Sequence, residues 1–200
     1  MAEITPELVK TLRERTGIGM MDCKKALQET GGDLEKAIDY LRKKGMSSIE
    51  KRAGRQATDG MIASYIHPGS RLGVLVEVNC ETDFVARTDA FQQFAKDIAM
   101  HIAAEQPLAV SREELDPKVI EREREIYLEQ ARNEKKPEHI SSKIVEGRLE
   151  KYYQDVCLMD QAFVKNPDQT VKDLLAELTA KIGEKISVRR FSCFRLGEGG

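Results

Sequence analysis

The amino-acid sequence predicts an α+β protein that begins with a small helical module. Helical periodicity of apolar residues runs through residues 1–45, and period-two alternation marks two segments after residue 58. Helical periodicity then returns, so we expect a core with a three-stranded antiparallel sheet covered by helices and a helical hairpin. The expected divisions are a three-helix module at 1–45, a basic linker at 46–57 and a core at 58–200, with the hairpin at about 116–156.

Three short helices are expected in the N-terminal module. Their expected N-caps are Thr5, Asp22 and Asp33. Gly17-Ile18-Gly19 separates the first two helices, and Gly45 is expected to close the module. The linker that follows is basic through Lys51, Arg52 and Arg55. A solvated, partly helical segment is expected there, and a weak attraction to an acidic partner is the alternative.

The core should start with a β-hairpin. Strands are expected at 60–66 and 72–79, joined by the turn His67-Pro68-Gly69-Ser70. A long amphipathic helix capped by Thr88 or Asp89 should follow and cover the sheet, with His101 on the flank of its apolar stripe and without a functional role. That stripe consists of Phe91, Phe94, Ala95, Ile98, Ala99, Ile102 and Ala103.

Two charged helices should then form the helical hairpin, at 118–135 and 138–156, divided by Lys136-Pro137. Their outer faces are expected to meet solvent, and a partner-binding arm is the second choice. A further helix at 171–182 ends at Gly183, and a third strand is expected at 185–196.

Composition limits the classes of partner. The net charge of −2 and the absence of Trp argue against a nucleic-acid partner, and no apolar run reaches the ~18 residues of a membrane span. The N-terminus lacks the pattern of a secretory signal, and four cysteines without paired spacing are typical of a reducing cytoplasm. We therefore expect a cytoplasmic protein without nucleic-acid or membrane binding.

The sequence has no pattern typical of an active site. It contains no Gly-rich phosphate loop after a strand, no metal-ligand spacing of His or Cys and no nucleophile elbow. We expect no cofactor and no metal. Asp83 is the one acid in an unusual setting and could act as a general base, but nothing nearby suggests a pocket for it, so an enzyme is the weaker class.

The segment Asn79-Cys80-Glu81-Thr82-Asp83-Phe84-Val85-Ala86 follows directly after a strand. It places an acid and a large aromatic side by side where the strand breaks toward a helix. Such a tip can insert into another protein. The alternative is that Phe84 folds back into the local core, as most Phe side chains do.

Two segments carry a resemblance to a known family. Residues 12–27 (LRERTGIGMMDCKKAL) closely resemble the N-terminal module of bacterial translation elongation factor Ts, and residues 77–86 (EVNCETDFVA) resemble the core signature of that family. Residues 101–104 and 145–148 resemble it as well. The chain looks like a short form, since longer members carry two related halves in the core.

The resemblance implies a guanine-nucleotide exchange factor for elongation factor Tu that has no covalent chemistry of its own. It assigns Thr82, Asp83, Phe84 and Val85 to the displacement of Mg²⁺ from the partner's nucleotide site. It makes residues 1–45 a ubiquitin-associated-like module, with Arg13, Met20 and Met21 as candidate contacts to the partner. Packing of Met21 between the first two helices remains equally open.

Short members are similar to those that act as homodimers, which implies a 2:2 complex with the terminal strand carrying Cys193 as a possible interface. An interchain disulfide at Cys193 is an option that the sequence leaves open. The second functional hypothesis is a ubiquitin-associated-like binding module without exchange activity, which would leave residues 82–85 without a role.

Overall fold

The computed structural model describes residues 4–52, 54–133 and 138–198. The described residues form two compact units, each assembled from separate stretches of the chain. The first unit lies within 1–62, 77–95 and 173–188, and the second within 63–76, 96–172 and 189–200. The described part is mixed α+β, with eight α-helices, a three-stranded antiparallel sheet and a small two-stranded sheet. This confirms the predicted fold class.

The first unit begins with three helices, α1 (Pro6–Thr16), α2 (Met20–Glu29) and α3 (Leu34–Arg52). The Thr5 hydroxyl accepts a hydrogen bond from the Leu8 amide (3.3 Å), and the Asp33 carboxylate accepts one from the Lys36 amide (3.0 Å). Both predicted caps are therefore confirmed. The helices enclose a core of small and medium apolar side chains: Val9, Leu12, Ile18, Cys23, Ala26, Leu27, Ala37 and Leu41.

Two local predictions in this region were wrong. Helix α2 begins at Met20 with Gly19 at the N-cap, so Asp22 lies inside the first turn, where its carboxylate pairs with Lys44. Helix α3 does not end at Gly45 but continues to Arg52, through half of the expected linker. A glycine inside a helix costs only about 1 kcal/mol relative to alanine, which good helix formers on both sides can offset.

The three-stranded sheet contains β1 (Asp59–Ile66), β2 (Leu72–Cys80) and β5 (Ser187–Arg195) in the order β1-β2-β5. The His67 amide donates to the Leu72 carbonyl oxygen (2.9 Å) and closes the predicted hairpin. A single helical turn, α4 (Asp83–Ala86), follows β2, and α5 (Asp89–Glu105) comes next. The predicted apolar stripe of α5 is buried throughout.

The second unit contains the helical hairpin of α6 (Pro117–Asn133) and α7 (Glu138–Val156). Lys136-Pro137, the predicted division between them, lies outside the described residues. A two-stranded sheet, β3 (Ala162–Phe163) with β4 (Asn166–Thr170), follows and was not predicted. Its strands are too short and too polar to show an apolar alternation.

Helix α8 (Val171–Ile182) ends as predicted at Gly183, whose φ of 85° lies in the left-handed region. In the part of the chain that the structure describes, no helix is long and apolar enough to cross a bilayer.

Candidate functional site

The turn after β2 is organised by Thr82. Its backbone is extended (φ −133°, ψ 153°), and its hydroxyl accepts a hydrogen bond from the Val85 amide (3.4 Å). Thr82 is thus the N-cap of α4, and the chain changes direction at this residue. A helix of four residues contains too few hydrogen bonds to be stable by itself, so its position depends on the contacts of its cap and of its one buried side chain.

The side chains of Phe84 and Val85 differ sharply in their exposure. The Val85 side chain is buried, with 5% of its surface exposed, and anchors the turn. The Phe84 side chain is 77% exposed. The interpretation that Phe84 folds back into the core is therefore wrong for this structure, and a bulky apolar ring lies on the surface.

Asp83 lies beside this ring on the surface. Its carboxylate forms an ion pair with the Arg87 guanidinium at 2.8 Å, one turn later in the chain. Both side chains are mostly exposed, and such a pair contributes little to stability because water screens it. Across the described residues, no group of three or more His, Cys, Asp or Glu side chains is arranged to hold a metal ion.

A set of hydrogen bonds that was not predicted holds the turn from the side of the α8–β5 connection. The Glu184 carboxylate accepts from the Thr82 amide (3.1 Å) and from the Thr82 hydroxyl (2.8 Å). The neighbouring Glu81 carboxylate accepts from the Lys185 amide (2.5 Å) and from the Arg55 guanidinium (3.2 Å). Glu184 is one of 34 acidic residues, and nothing in the sequence distinguishes it.

Cys80 completes the support from inside. Its thiol is buried and donates to the Thr82 carbonyl oxygen, with an S···O distance of 3.1 Å. Burial raises the pKa of this thiol to about 11, and the nearby Glu184 carboxylate acts in the same direction. Cys80 is therefore a protonated structural group at neutral pH and not a reactive thiolate.

The candidate contacts of the N-terminal module lie on α1 and α2. Arg13 is exposed on α1, and Met20 and Met21 occupy the first two positions of α2. Met21 is 78% exposed and Met20 is 55% exposed. Met21 therefore does not pack between the first two helices, and the buried residues of α2 are Cys23, Ala26 and Leu27. Two adjacent exposed thioethers form an adaptable apolar surface.

All seven predicted site residues fall in the first compact unit. The four residues of the Thr82–Val85 turn are consecutive and provide one exposed ring, one exposed carboxylate, one buried anchor and one cap. Arg13, Met20 and Met21 flank the connection between α1 and α2, where Gly17 ends α1 with a φ of 67°.

Comparison with known proteins gives a consistent result. The family model described as elongation factor TS matches residues 21–198. The elongation factor Ts of Geotalea daltonii is 61% identical over 196 residues, covering 98% of this chain and 91% of that protein. That of Carboxydothermus hydrogenoformans is 62% identical, with 98% and 90% covered, and that of Desulforamulus reducens is 59% identical, with 100% and 92% covered. In each comparison the alignment covers nearly the whole of this chain and of the relative. The chain therefore belongs to the elongation factor Ts family.

Proposed function

We propose that this protein is a guanine-nucleotide exchange factor for elongation factor Tu and performs no covalent chemistry of its own. Membership of the elongation factor Ts family supports the partner. The observation that carries the proposal is the exposed Phe84 ring on a turn that is held by hydrogen bonds of the Thr82 hydroxyl to Glu184 and to the Val85 amide. Aromatic side chains, Phe among them, are enriched in the buried centres of protein interfaces relative to the rest of the surface.

The mechanism follows from how a GTPase holds GDP. The nucleotide is bound through a cradle around its β-phosphate and through a Mg²⁺ ion that needs nearly octahedral oxygen ligation. Insertion of Phe84 beside the metal-supporting segment of the partner moves ligands by a distance that Mg²⁺ does not tolerate. Asp83 forms polar contacts beside the ring without binding the ion stably, while Thr82 and Val85 hold the tip.

Release of GDP is then a consequence of thermodynamic linkage. If the factor binds nucleotide-free partner more tightly than GDP-bound partner, GDP must bind more weakly to the complex by the same ratio. GTP can then occupy the vacated site, and neither nucleotide is changed chemically.

The N-terminal module supplies the second contact. We place this module at residues 1–45 and the core at 58–200, joined by a linker at 46–57 whose first half is the end of α3. The module's surface at Arg13, Met20 and Met21 fits a partner with an apolar patch and a neighbouring acidic group. The exposure of both Met side chains supports this role, because adjacent exposed apolar side chains are typical of interaction surfaces.

We further propose a homodimer and a 2:2 complex. Strand β5 is an edge strand of the three-stranded sheet, and it carries the exposed residues Cys193 and Phe194. An unpaired edge with exposed apolar side chains can pair with a second copy. Sedimentation equilibrium in reducing buffer should give the dimer mass, and oxidation should link the chains only if Cys193 lies near the two-fold axis. A monomer at micromolar concentration would exclude this part of the proposal.

The function is tested by release of fluorescent GDP from purified elongation factor Tu, with and without this protein. We expect this protein to accelerate GDP release, with a rate that saturates as its concentration increases. The second hypothesis, a ubiquitin-associated-like binding module, expects complex formation without faster release. Binding is measured in parallel by titration calorimetry. An exchange factor should both bind and accelerate GDP release, whereas a binding module should bind without accelerating it.

A further inference from the structure

Glu184 is placed by the end of α8. Gly183 takes up the left-handed backbone that ends the helix, and its amide donates to the Thr179 carbonyl oxygen (2.9 Å). The next residue, Glu184, then directs its carboxylate toward the turn after β2. The two carboxylate oxygens accept separate hydrogen bonds, Oε2 from the Thr82 amide (3.1 Å) and Oε1 from the Thr82 hydroxyl (2.8 Å).

The hydrogen bond from the Thr82 hydroxyl to Glu184 fixes the direction of the hydroxyl proton. A threonine hydroxyl has one proton to donate and two lone pairs that accept. Because the proton is directed to Glu184, a lone pair remains for the Val85 amide, which is the capping bond of α4. The carboxylate thus orients the cap, and the cap orients the helical turn that presents Phe84.

A second link runs in parallel one residue earlier. The Glu81 carboxylate accepts from the Lys185 amide, and the Lys185 ammonium donates to the Arg55 carbonyl oxygen (2.8 Å). Residues 81–82 and 184–185 are therefore joined by side-chain carboxylates that bind backbone amides in both directions. Glu184 is the carboxylate that accepts hydrogen bonds from Thr82, a residue of the predicted exchange motif.

We propose that Glu184 is a positioning residue for nucleotide exchange: it holds Thr82 so that α4 presents Phe84 in a fixed orientation. This inference rests on the proposed function, since exchange is the process for which the ring is positioned. Glu184 acts through Thr82 and need not contact the partner.

The test uses Glu184→Ala and Glu184→Gln in the full chain, with Glu177→Ala on the preceding helix α8 as the matched control. The Glu177 carboxylate forms an exposed ion pair with Arg42 and does not contact the turn. We expect Glu184→Ala to lower the maximal rate of GDP release by about fivefold or more while the thermal midpoint changes little. Glu184→Gln should recover part of this loss, because its carbonyl can accept from the Thr82 amide and its amide can donate to the hydroxyl.

A double variant separates positioning from a general structural effect. Once Phe84→Ala has removed the ring, its orientation no longer matters, so adding Glu184→Ala should cause no further loss of exchange. Losses that multiply in the double variant would overturn the proposal, and so would a Glu177→Ala loss as large as that of Glu184→Ala.

The geometry is also measured without the partner. Hydrogen exchange at the Val85 amide, followed by NMR on the isolated protein, should become at least about tenfold faster in Glu184→Ala and stay unchanged in Glu177→Ala. Unchanged protection at Val85 would contradict the positioning role even if exchange activity fell. If the unmodified protein failed to accelerate GDP release, the proposed function would be wrong, and the Val85 measurement would still decide whether Glu184 holds the turn.

Discussion

The imidazole of His101 accepts a hydrogen bond at Nδ1 from the backbone amide of Val164, at 3.2 Å. An acceptor nitrogen carries no proton, so the neutral ring holds its proton on Nε2, which lies 3.0 Å from the Gln161 side-chain oxygen. The Gln161 amide donates in turn to the Asp155 carbonyl oxygen (2.8 Å). His101 is fully buried, and its two hydrogen bonds fit only this neutral tautomer.

This arrangement predicts a stability that depends on pH. Burial lowers the pKa of His101 below its ordinary value of 6.5, although Gln161 and the Glu105 carboxylate act in the opposite direction. Below pH 6.5 the unfolded chain binds a proton that the folded chain does not, so stability falls as the pH falls toward the folded pKa. Urea unfolding at pH 7.5 and pH 5.5 should show a larger loss for the unmodified protein than for His101→Gln.

The control for this measurement is His67→Gln, since His67 is exposed in the turn of the first β-hairpin. The His67→Gln variant should lose as much unfolding free energy between pH 7.5 and pH 5.5 as the unmodified protein does. Equal losses in the unmodified protein and in His101→Gln would show that His101 does not cause the pH dependence.

Arg112 should stabilise the base of the helical hairpin. Its guanidinium contacts Asp160 (2.8 and 3.1 Å) and Glu150 (2.9 and 2.5 Å) and lies 4.7 Å from the centre of the Tyr153 ring. Both carboxylates raise the pKa of Arg112 further above its usual range. The group is partly exposed, so water screens these contacts, and we expect Arg112→Ala to cost roughly 1–2 kcal/mol. Urea unfolding measures this cost.

Arg124→Ala is the comparison, because Arg124 forms an exposed pair with Glu146 on the same hairpin. Its effect should be clearly smaller than that of Arg112→Ala. A similar effect of both variants would mean that the network around Arg112 adds nothing to an ordinary surface pair.

Two glycines should respond in opposite ways to substitution by alanine. Gly60 has a φ of 142°, and a Cβ there would lie 2.1 Å from the Val78 carbonyl oxygen. Gly147 lies within α7, and a Cβ there would meet nothing within 4 Å. Gly60→Ala should therefore lose roughly 2 kcal/mol or more, whereas Gly147→Ala should gain about 0.5–1 kcal/mol. Thermal unfolding of both variants decides this, and stabilisation by Gly60→Ala would contradict the close approach of β1 to β2.

Met21 should contribute to partner binding but not to folding. Because its side chain is 78% exposed, Met21→Ala leaves no cavity in the three-helix core. We expect affinity for nucleotide-free elongation factor Tu to fall about tenfold, or roughly 1.4 kcal/mol, with an unchanged thermal midpoint. Titration calorimetry measures the affinity. A lower midpoint without a change in affinity would indicate a packing role instead.

The elements that the sequence predicted well are those determined by local chemistry. Thr5 and Asp33 cap helices because their short polar side chains reach the amides of the first turn. Gly183 ends α8 because it adopts a left-handed backbone without steric cost. The α5 stripe follows from its periodicity alone.

The remaining features depend on contacts between distant segments. His101 was placed on the flank of a stripe, but it is buried because Gln161 and Val164, some 60 residues later, satisfy both ring nitrogens. Glu184 contacts Thr82 across 102 positions of the chain. The sequence alone does not predict these contacts, because it does not show which distant polar side chains form hydrogen bonds with each other. The sequence predicts that Phe84 lies on a turn after a strand. Only the structure shows that its side chain is exposed.

The rate of fluorescent GDP release with Phe84→Ala shows whether the exposed Phe84 ring drives exchange, as we propose. Leu108→Ala serves as the control, because Leu108 is similarly exposed in the loop after α5, outside the proposed contacts. We predict that Phe84→Ala slows release by about 30-fold or more, corresponding to roughly 2 kcal/mol, with an unchanged thermal midpoint, whereas Leu108→Ala changes neither. Unimpaired exchange by a folded Phe84→Ala protein would show that the ring does not drive exchange.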